Sequence, residues 1–221
     1  MRIRIPAKIS LQEAVELQKR LAPLVSEKSE LPSKITNLVG CDASYFNEKT
    51  IGAAALIDYA TLQELKFRIV IEPTTFPYIP GLLAFREGPA ILRVIRALRT
   101  QSYVCLVDAH GLAHPRKFGL ACFVGVALDN PTIGVAKHLL CGTVDENRVL
   151  DEHGNQTAEI IQLPGSGKEI YVSVGHKVSL KDAVKIVNRC LTARGPVPIR
   201  LAHEQVTKRK WEIKKSNPAS S

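Results

Sequence analysis

The chain has 221 residues, 45% of them hydrophobic, which suits one enzyme-sized domain with ample material for a core. Thirty lysines and arginines against 21 acids leave a formal net charge of +9, so a polyanionic partner is expected, with nucleic acid ahead of a membrane surface. No stretch approaches the roughly 18 uninterrupted apolar residues of a spanning helix, and the N-terminus lacks a signal-peptide core, so the expected location is the cytoplasm. The five cysteines are odd in number and contain no C-x-x-C pair, which argues against structural zinc and a disulfide framework.

Taken in order, Ser10-Leu11-Gln12-Glu13 has capping-box form, and Leu11, Ala14, Val15, Gln18 and Leu21 make a mostly apolar helical stripe before Pro23. Residues 26–34 read as a connector. Residues 37–42 then form a strand ending on a carboxylate, Asp42. Two further strand-like runs, 51–59 and 62–71, complete an antiparallel meander. Residues 72–80, EPTTFPYIP, hold three prolines around Phe76 and Tyr78 and should project as a stiff loop. Next, Ala90, Ile91, Val94, Ile95 and Leu98 recur at helical spacing, with Pro89 in the first turn and Glu87 at the entrance. Arg93, Arg96 and Arg99 fall away from that stripe.

Residues 104–107, VCLV, are apolar on both faces, as a buried central strand requires, and end at Asp108 followed by Ala109-His110-Gly111. His114, Pro115, Arg116 and Lys117 mark the entrance of a buried helix over 118–128. A short strand, 132–136, ends at Lys137, and another, 171–174, follows a polar loop over 151–168. Ser179 caps a last amphipathic helix through Ala183, Val184, Val187, Cys190 and Leu191, stopped by Arg194-Gly195-Pro196. Residues 208–221 are basic, then polar, and are expected to fray, leaving 1–207 as a single domain. Three strands, a helix, then strands alternating with helices imply an α/β protein, a mixed sheet flanked by helices.

Asp42 and Asp108 end strands, and Glu87 lies between them in the chain. Three converging carboxylates would repel without cations, and hard divalent metals, typically magnesium, neutralise such a cluster. In phosphodiester cleavage two metals can activate water and steady the leaving oxygen. Spacing alone leaves open whether these acids meet or are unrelated surface groups. Lys137 could hold a scissile phosphate or be a solvated strand end. His114 could bond a phosphate, act through a water, or only shape the turn before Pro115. Tyr78 could stack on an unpaired base or pack as a loop aromatic. Arg93, Arg96, Arg99, Arg116 and Lys117 could line a phosphate track or be merely solvated. His176 and His203 lack metal-spaced neighbours.

From about Val39 to His203 the chain carries VGCDASY, PYIPGLLAFREGP, VDAHGLAHPRKFGLA, GVAK and PIRLAHE, and in these it resembles endonuclease V, the inosine-directed nuclease family with a ribonuclease H-like fold. The resemblance implies that Asp42, Glu87 and Asp108 ligate magnesium, for which manganese is expected to substitute, and that His203 lies near them; with the three acids, His203, Lys137 and His114 are the catalytic candidates. It further implies that Pro77-Tyr78-Ile79-Pro80 is a strand-separating wedge, and that main-chain groups around Leu83, Ala109, Gly111, Gly119 and Leu120 receive an extruded hypoxanthine. Ala43 stands where the family usually has valine, and Ala109 where it usually has glycine, which adds a methyl beside Asp108. The expected activity is magnesium-dependent hydrolysis on the 3′ side of deoxyinosine in DNA, by a monomer, initiating repair. One alternative is an inosine-specific endoribonuclease acting on RNA. The other is a non-catalytic nucleic-acid-binding module, which would have no use for three converging acids.

Overall fold

The computed structural model describes residues 9–216. Its centre is a nine-stranded mixed sheet built from β1 (Asn37–Phe46), β2 (Lys49–Asp58), β3 (Glu64–Pro73), β4 (Tyr103–Val107), β5 (Thr132–Ala136), β6 (Thr143–Asp145), β7 (Arg148–Leu150), β8 (Gln156–Gln162) and β9 (Glu169–His176). The order is β3-β2-β1-β4-β5-β9-β8-β7-β6. β1, β4 and β5 run parallel, and the pairings outward from them are antiparallel. The helices are α1 (Leu11–Leu21), α2 (Leu83–Ala97), α3 (Leu120–Leu128), α4 (Leu180–Arg189) and α5 (Val197–Ser216). This is the expected α/β, ribonuclease H-like arrangement, with β4, apolar on both faces, fully buried at its heart.

The capping box of α1 is complete: the Ser10 backbone N–H donates to Glu13 Oε2 at 2.8 Å, and Glu13 N donates back to Ser10 Oγ at 3.3 Å. The meander β1-β2-β3 is as expected, but β1 does not stop at Asp42. β4 ends at Val107, opposite Cys41, while β1 continues to Phe46 paired only with β2. β1 therefore overhangs its parallel neighbour, and Asp42 sits at the step.

Four expectations need correction. α2 begins at Leu83, so Pro89 lies inside the helix and Glu87 in its second turn rather than at its entrance. Loss of one backbone N–H at Pro89 is tolerated because Ala84, Phe85, Gly88, Ile91 and Leu92 bury the helix around it. The segment 151–168 contains β8, whose buried Thr157, Ala158 and Ile160 were masked by polar neighbours. α4 ends at Arg189, and a small hairpin, β10 (Leu191–Thr192) with β11 (Gly195–Pro196), turns the chain through Gly195 at φ 96°. Residues 208–216 do not fray: they continue α5, anchored by Val206, which is buried with Ile51 and Ala53, while Ile213 packs on that cluster. Residues 217–221 of the expected tail lie outside the described range. Among the described residues no helix is long and apolar enough to cross a membrane.

Candidate active site

Two parallel strands in register bring two carboxylates together. Cys41 of β1 pairs with Val107 of β4, so the following residues, Asp42 and Asp108, stand side by side at the rim, where Asp108 N–H donates to Cys41 O at 3.1 Å. The third member arrives from α5. Gly40 is buried under the start of that helix, and a Cβ there would lie 2.0 Å from the Pro198 carbonyl carbon; only glycine lets α5 rest on β1. That approach puts His203 Nδ1 at 2.7 Å from Asp42 Oδ2. One ligand atom each from Asp42, Asp108 and His203 lie within 4.8 Å of one another.

Charge is balanced tightly here. Burial and the neighbouring Asp42 raise the Asp108 carboxyl above the usual range, while Lys137 Nζ, 2.7 Å from Asp108 Oδ2, opposes the shift. The hydrogen bond that the His203 imidazole donates to Asp42 raises its pKa and outweighs its partial burial. Glu87 is placed differently from the expected ligand trio. It accepts a hydrogen bond from the Tyr45 hydroxyl and stays outside the closest donor group. Burial first, then the fields of Asp42 and Asp108, push its carboxyl to about 8. Arg86 lies over the Tyr45 ring, 4.0 Å from its centroid. Neither Tyr45 nor Arg86 is legible as a site residue from spacing, because each acts through Glu87.

Beside this cluster is a cavity of about 210 Å³, smaller than the roughly 300–1,000 Å³ of drug-sized pockets and fit for something like a single base. Tyr78, Ile79, Pro80, Leu83, Ala109, Gly119 and Leu120 line it, with the Ala109 methyl in its wall. Pro77 is exposed outside the wall. Gly111, named with them, is not among the lining residues: it is buried, its N–H donates to Ser173 Oγ at 2.9 Å and a Cβ would meet Val174 O at 2.0 Å. Its role is to let the loop cross β9. His110 and His138, not anticipated, also line the cavity, and the buried His110 Nδ1 has no hydrogen-bond partner.

The loop carrying Tyr78 is clamped at both ends. At one end Phe76 is buried against Phe85, and Arg86 Nη1 donates to Phe76 O at 2.7 Å. At the other, Gly81 O accepts from Gln18 Nε2 at 3.0 Å and Arg116 Nη2 at 2.6 Å. His114 completes that clamp. Its Nδ1 accepts the Arg116 N–H at 3.1 Å, so the proton resides on Nε2, which donates to Gly81 O at 2.9 Å. Burial drops this imidazole to about 4 and keeps it neutral. His114 thus touches the cavity while serving as a backbone prop. Between the clamps Tyr78 is 68% exposed, a rigidly presented aromatic tip.

Of the five cations weighed as a phosphate track or as solvated groups, three are paired within the fold. Arg116 is spent on Gln18 and Gly81, Lys117 on Asp151 at 2.7 Å, and Arg93 on Glu72. Arg96 and Arg99 are exposed on α2 and just beyond it. His176 is buried and accepts from Ser26 N at 3.2 Å, a structural position.

Comparison with known proteins supplies the family. The family model described as Endonuclease V matches residues 19–204. The Endonuclease V of Desulfurococcus amylolyticus is 38% identical over 201 residues, covering 86% of this chain and 91% of that protein. The crystal structure of Endonuclease V from Streptomyces avermitilis is 30% identical with a TM-score of 0.86, covering 97% of this chain and 100% of the other. Ciona intestinalis Endonuclease V, solved in complex with a 24mer DNA containing an inosine followed by a ribo-adenosine, is 26% identical with a TM-score of 0.84 over 92% of this chain and 98% of its own.

Proposed function

The chain belongs to the endonuclease V family, and from that premise we propose that it is a magnesium-dependent endonuclease that recognises deoxyinosine in DNA and hydrolyses the phosphodiester on its 3′ side. In this reading it works as a cytoplasmic monomer and initiates repair. The observation that carries the reading is adjacency: Asp108 belongs to the donor cluster and the very next residue, Ala109, forms the cavity wall. A base lodged in the cavity thereby brings its own backbone to the carboxylates.

The donor set suits the metal. Two carboxylates and the His203 imidazole within 4.8 Å, with Asp108 paired to Lys137 and Asp42 to His203, form an oxygen-rich half-shell with open positions, which fits magnesium, and manganese in its place. Asp42, Asp108 and His203, with Glu87 beside them, would hold a divalent cation, which would supply Lewis-acid activation of phosphate and water. The remaining work falls to the chain's own groups. Tyr78 fills the gap left by the extruded base, whose removal from the stack costs least where pairing is already weak. The cavity excludes water from it. Lys137 donates its ammonium to the phosphate oxygens and opposes the charge that develops there. Tyr45 fixes the orientation of Glu87 toward the two aspartates.

Asp108→Asn tests this assignment: it should bind inosine duplex yet fail to nick it, and a wild-type rate under saturating magnesium would remove Asp108 from the site. The ribo-adenosine in the strand bound by the Ciona relative favours RNA as the second reading. Parallel cleavage of matched inosine DNA and RNA separates the two, because discrimination rests on ribose 2′-OH contacts.

A further inference from the structure

The overhang of β1 and the length of α5 have a joint outcome beyond the metal cluster. On the face of β1 that meets α5, alternate residues Gly40, Asp42, Ser44 and Phe46 point toward the helix. Each meets a successive part of it: Gly40 the Pro198 backbone, Asp42 His203, Ser44 Lys210 and Phe46 Lys214. Lys210 Nζ is 3.3 Å from Ser44 Oγ, and Lys214 Nζ is 5.7 Å from the centroid of the Phe46 ring. His203, Lys210 and Lys214 therefore follow one line along α5, at intervals of two turns and one turn. Among the described residues the β4-facing edge of β1 beyond Cys41 carries no partner strand, so this line runs beside an edge that opens at the cluster itself.

Past His203, which pairs with Asp42, the two lysines on that line are uncompensated. The acids of α5 are occupied elsewhere: Glu204 pairs with Arg194 and Arg200, and Glu212 with Arg209. Among the described residues neither Lys210 nor Lys214 has a carboxylate partner. Two ammonium groups without counter-ions, one steadied by a hydroxyl and one by an aromatic face, are poised for an anionic chain that continues past the metal site.

We propose that Lys210 and Lys214 form a phosphate-binding track that holds the nucleic-acid backbone on the β1 side of the cluster. At about 1.5 Å per residue they lie roughly 10 and 16 Å from His203 along the helix. At about 3.4 Å of axial rise per nucleotide, they reach phosphates roughly three and five nucleotides from the scissile bond. The track depends on the nuclease reading for the position of that bond, but not for its affinity for phosphodiesters. It does not run through Arg116 and Lys117, whose charges are paired within the fold.

The test uses the full chain with chelator present and compares wild type with Lys210→Gln/Lys214→Gln, Lys210→Arg/Lys214→Arg and a distant exposed control on α4, Lys181→Gln/Lys185→Gln. Affinity for a plain duplex is followed between 50 and 200 mM salt. Each lost phosphate contact lowers the slope of log K against log salt by about 0.9, so the track double glutamine variant should lose about 1.8, roughly a twelvefold smaller affinity change across that range. The arginine pair should retain the wild-type slope and the α4 pair should leave it unchanged. On inosine duplexes shortened stepwise at either end, wild type should lose affinity when one flank falls below about five and then three base pairs, and the track double glutamine variant should be indifferent to that flank. An unchanged slope, an equal effect from the α4 pair, or the same flank dependence in the track variant overturns the proposal. If wild type fails to nick inosine DNA while the slope change persists, the nuclease reading falls and the track stands. Intact nicking with an unchanged slope removes the track alone.

Discussion

Gly40→Ala probes the packing that positions His203 without touching any charged group. The added Cβ would lie 2.0 Å from the Pro198 carbonyl carbon, 2.1 Å from its oxygen and 2.6 Å from Ile199 N, all backbone atoms that cannot rotate away. Ordinary carbon contacts need about 3.5–4.0 Å, so the start of α5 must retreat by about 1.5 Å. His203 Nδ1 now sits 2.7 Å from Asp42 Oδ2, and such a retreat carries the pair beyond hydrogen-bond range. Overpacking of this kind costs about 1–3 kcal/mol, and a misplacement near 1 Å about a hundredfold in rate. Circular dichroism and thermal melting read the first, and single-turnover nicking of an inosine duplex reads the second. His203→Ala and the double variant complete a cycle in which the double should be hardly slower than either single change, since both remove the same contact. The imidazole itself gives a readout independent of turnover: Asp42 raises its pKa, and in folded Gly40→Ala NMR titration should find it back near the ordinary value. Wild-type nicking by Gly40→Ala, fully additive losses in the cycle, or an unmoved His203 titration would refute this account of α5.

Tyr78→Ala should lose a stacking contact of about 1–3 kcal/mol, so the ratio of inosine to plain-duplex affinity at fixed salt should fall about five- to more than a hundredfold, while cleavage at saturating enzyme recovers. An unchanged ratio would make the loop merely structural. His114 is held neutral with its pKa at about 4, below the ordinary value near 6.5, so the unfolded chain binds the proton first as pH falls. Its contribution is complete above about pH 6.5 and is lost on the way down to about pH 4, by roughly 3 kcal/mol, and His114→Gln should flatten the pH dependence of unfolding free energy across that window. Parallel profiles for the two proteins would contradict the burial argument. Tyr45→Phe should slow nicking with little change in DNA affinity, since the hydroxyl's partner is Glu87 and not the nucleic acid; a loss confined to affinity would place Tyr45 on the substrate.

The carboxylates at Asp42 and Asp108 were legible because the pattern of an apolar run ending on an acid occurs on two strands that prove to be parallel neighbours. Periodicity could not reveal that Glu87 sits deep in α2, because Pro89 mimics a helix start and the turns before it are held by tertiary burial. α5 was hidden for the opposite reason. Its buried apolar residues, Val197, Ile199, Ala202 and Val206, fall in its first half right after Gly195-Pro196, while the lysine-rich remainder offers the part-buried Ile213, which packs with Ile51 and Ile69 from far along the chain. With α5 unseen, His203 had only the family resemblance to recommend it. Seven of the residues named through that resemblance lie together in the cavity wall, whereas the props behind it were not named. Gln18 reads as one member of an apolar stripe, yet it is 1% exposed and bonds Gly81 and Phe118 across the fold.

The most direct test of the metal-dependent, inosine-directed activity is single-turnover nicking of one end-labelled duplex, with deoxyinosine or adenine at the same position, in magnesium and in chelator, with the product mapped to the nucleotide. The expected result is a single nick on the 3′ side of deoxyinosine, in magnesium only, absent from the adenine duplex and absent with Asp108→Asn. A nick that persists in chelator, appears equally on the adenine duplex, or survives Asp108→Asn would contradict it.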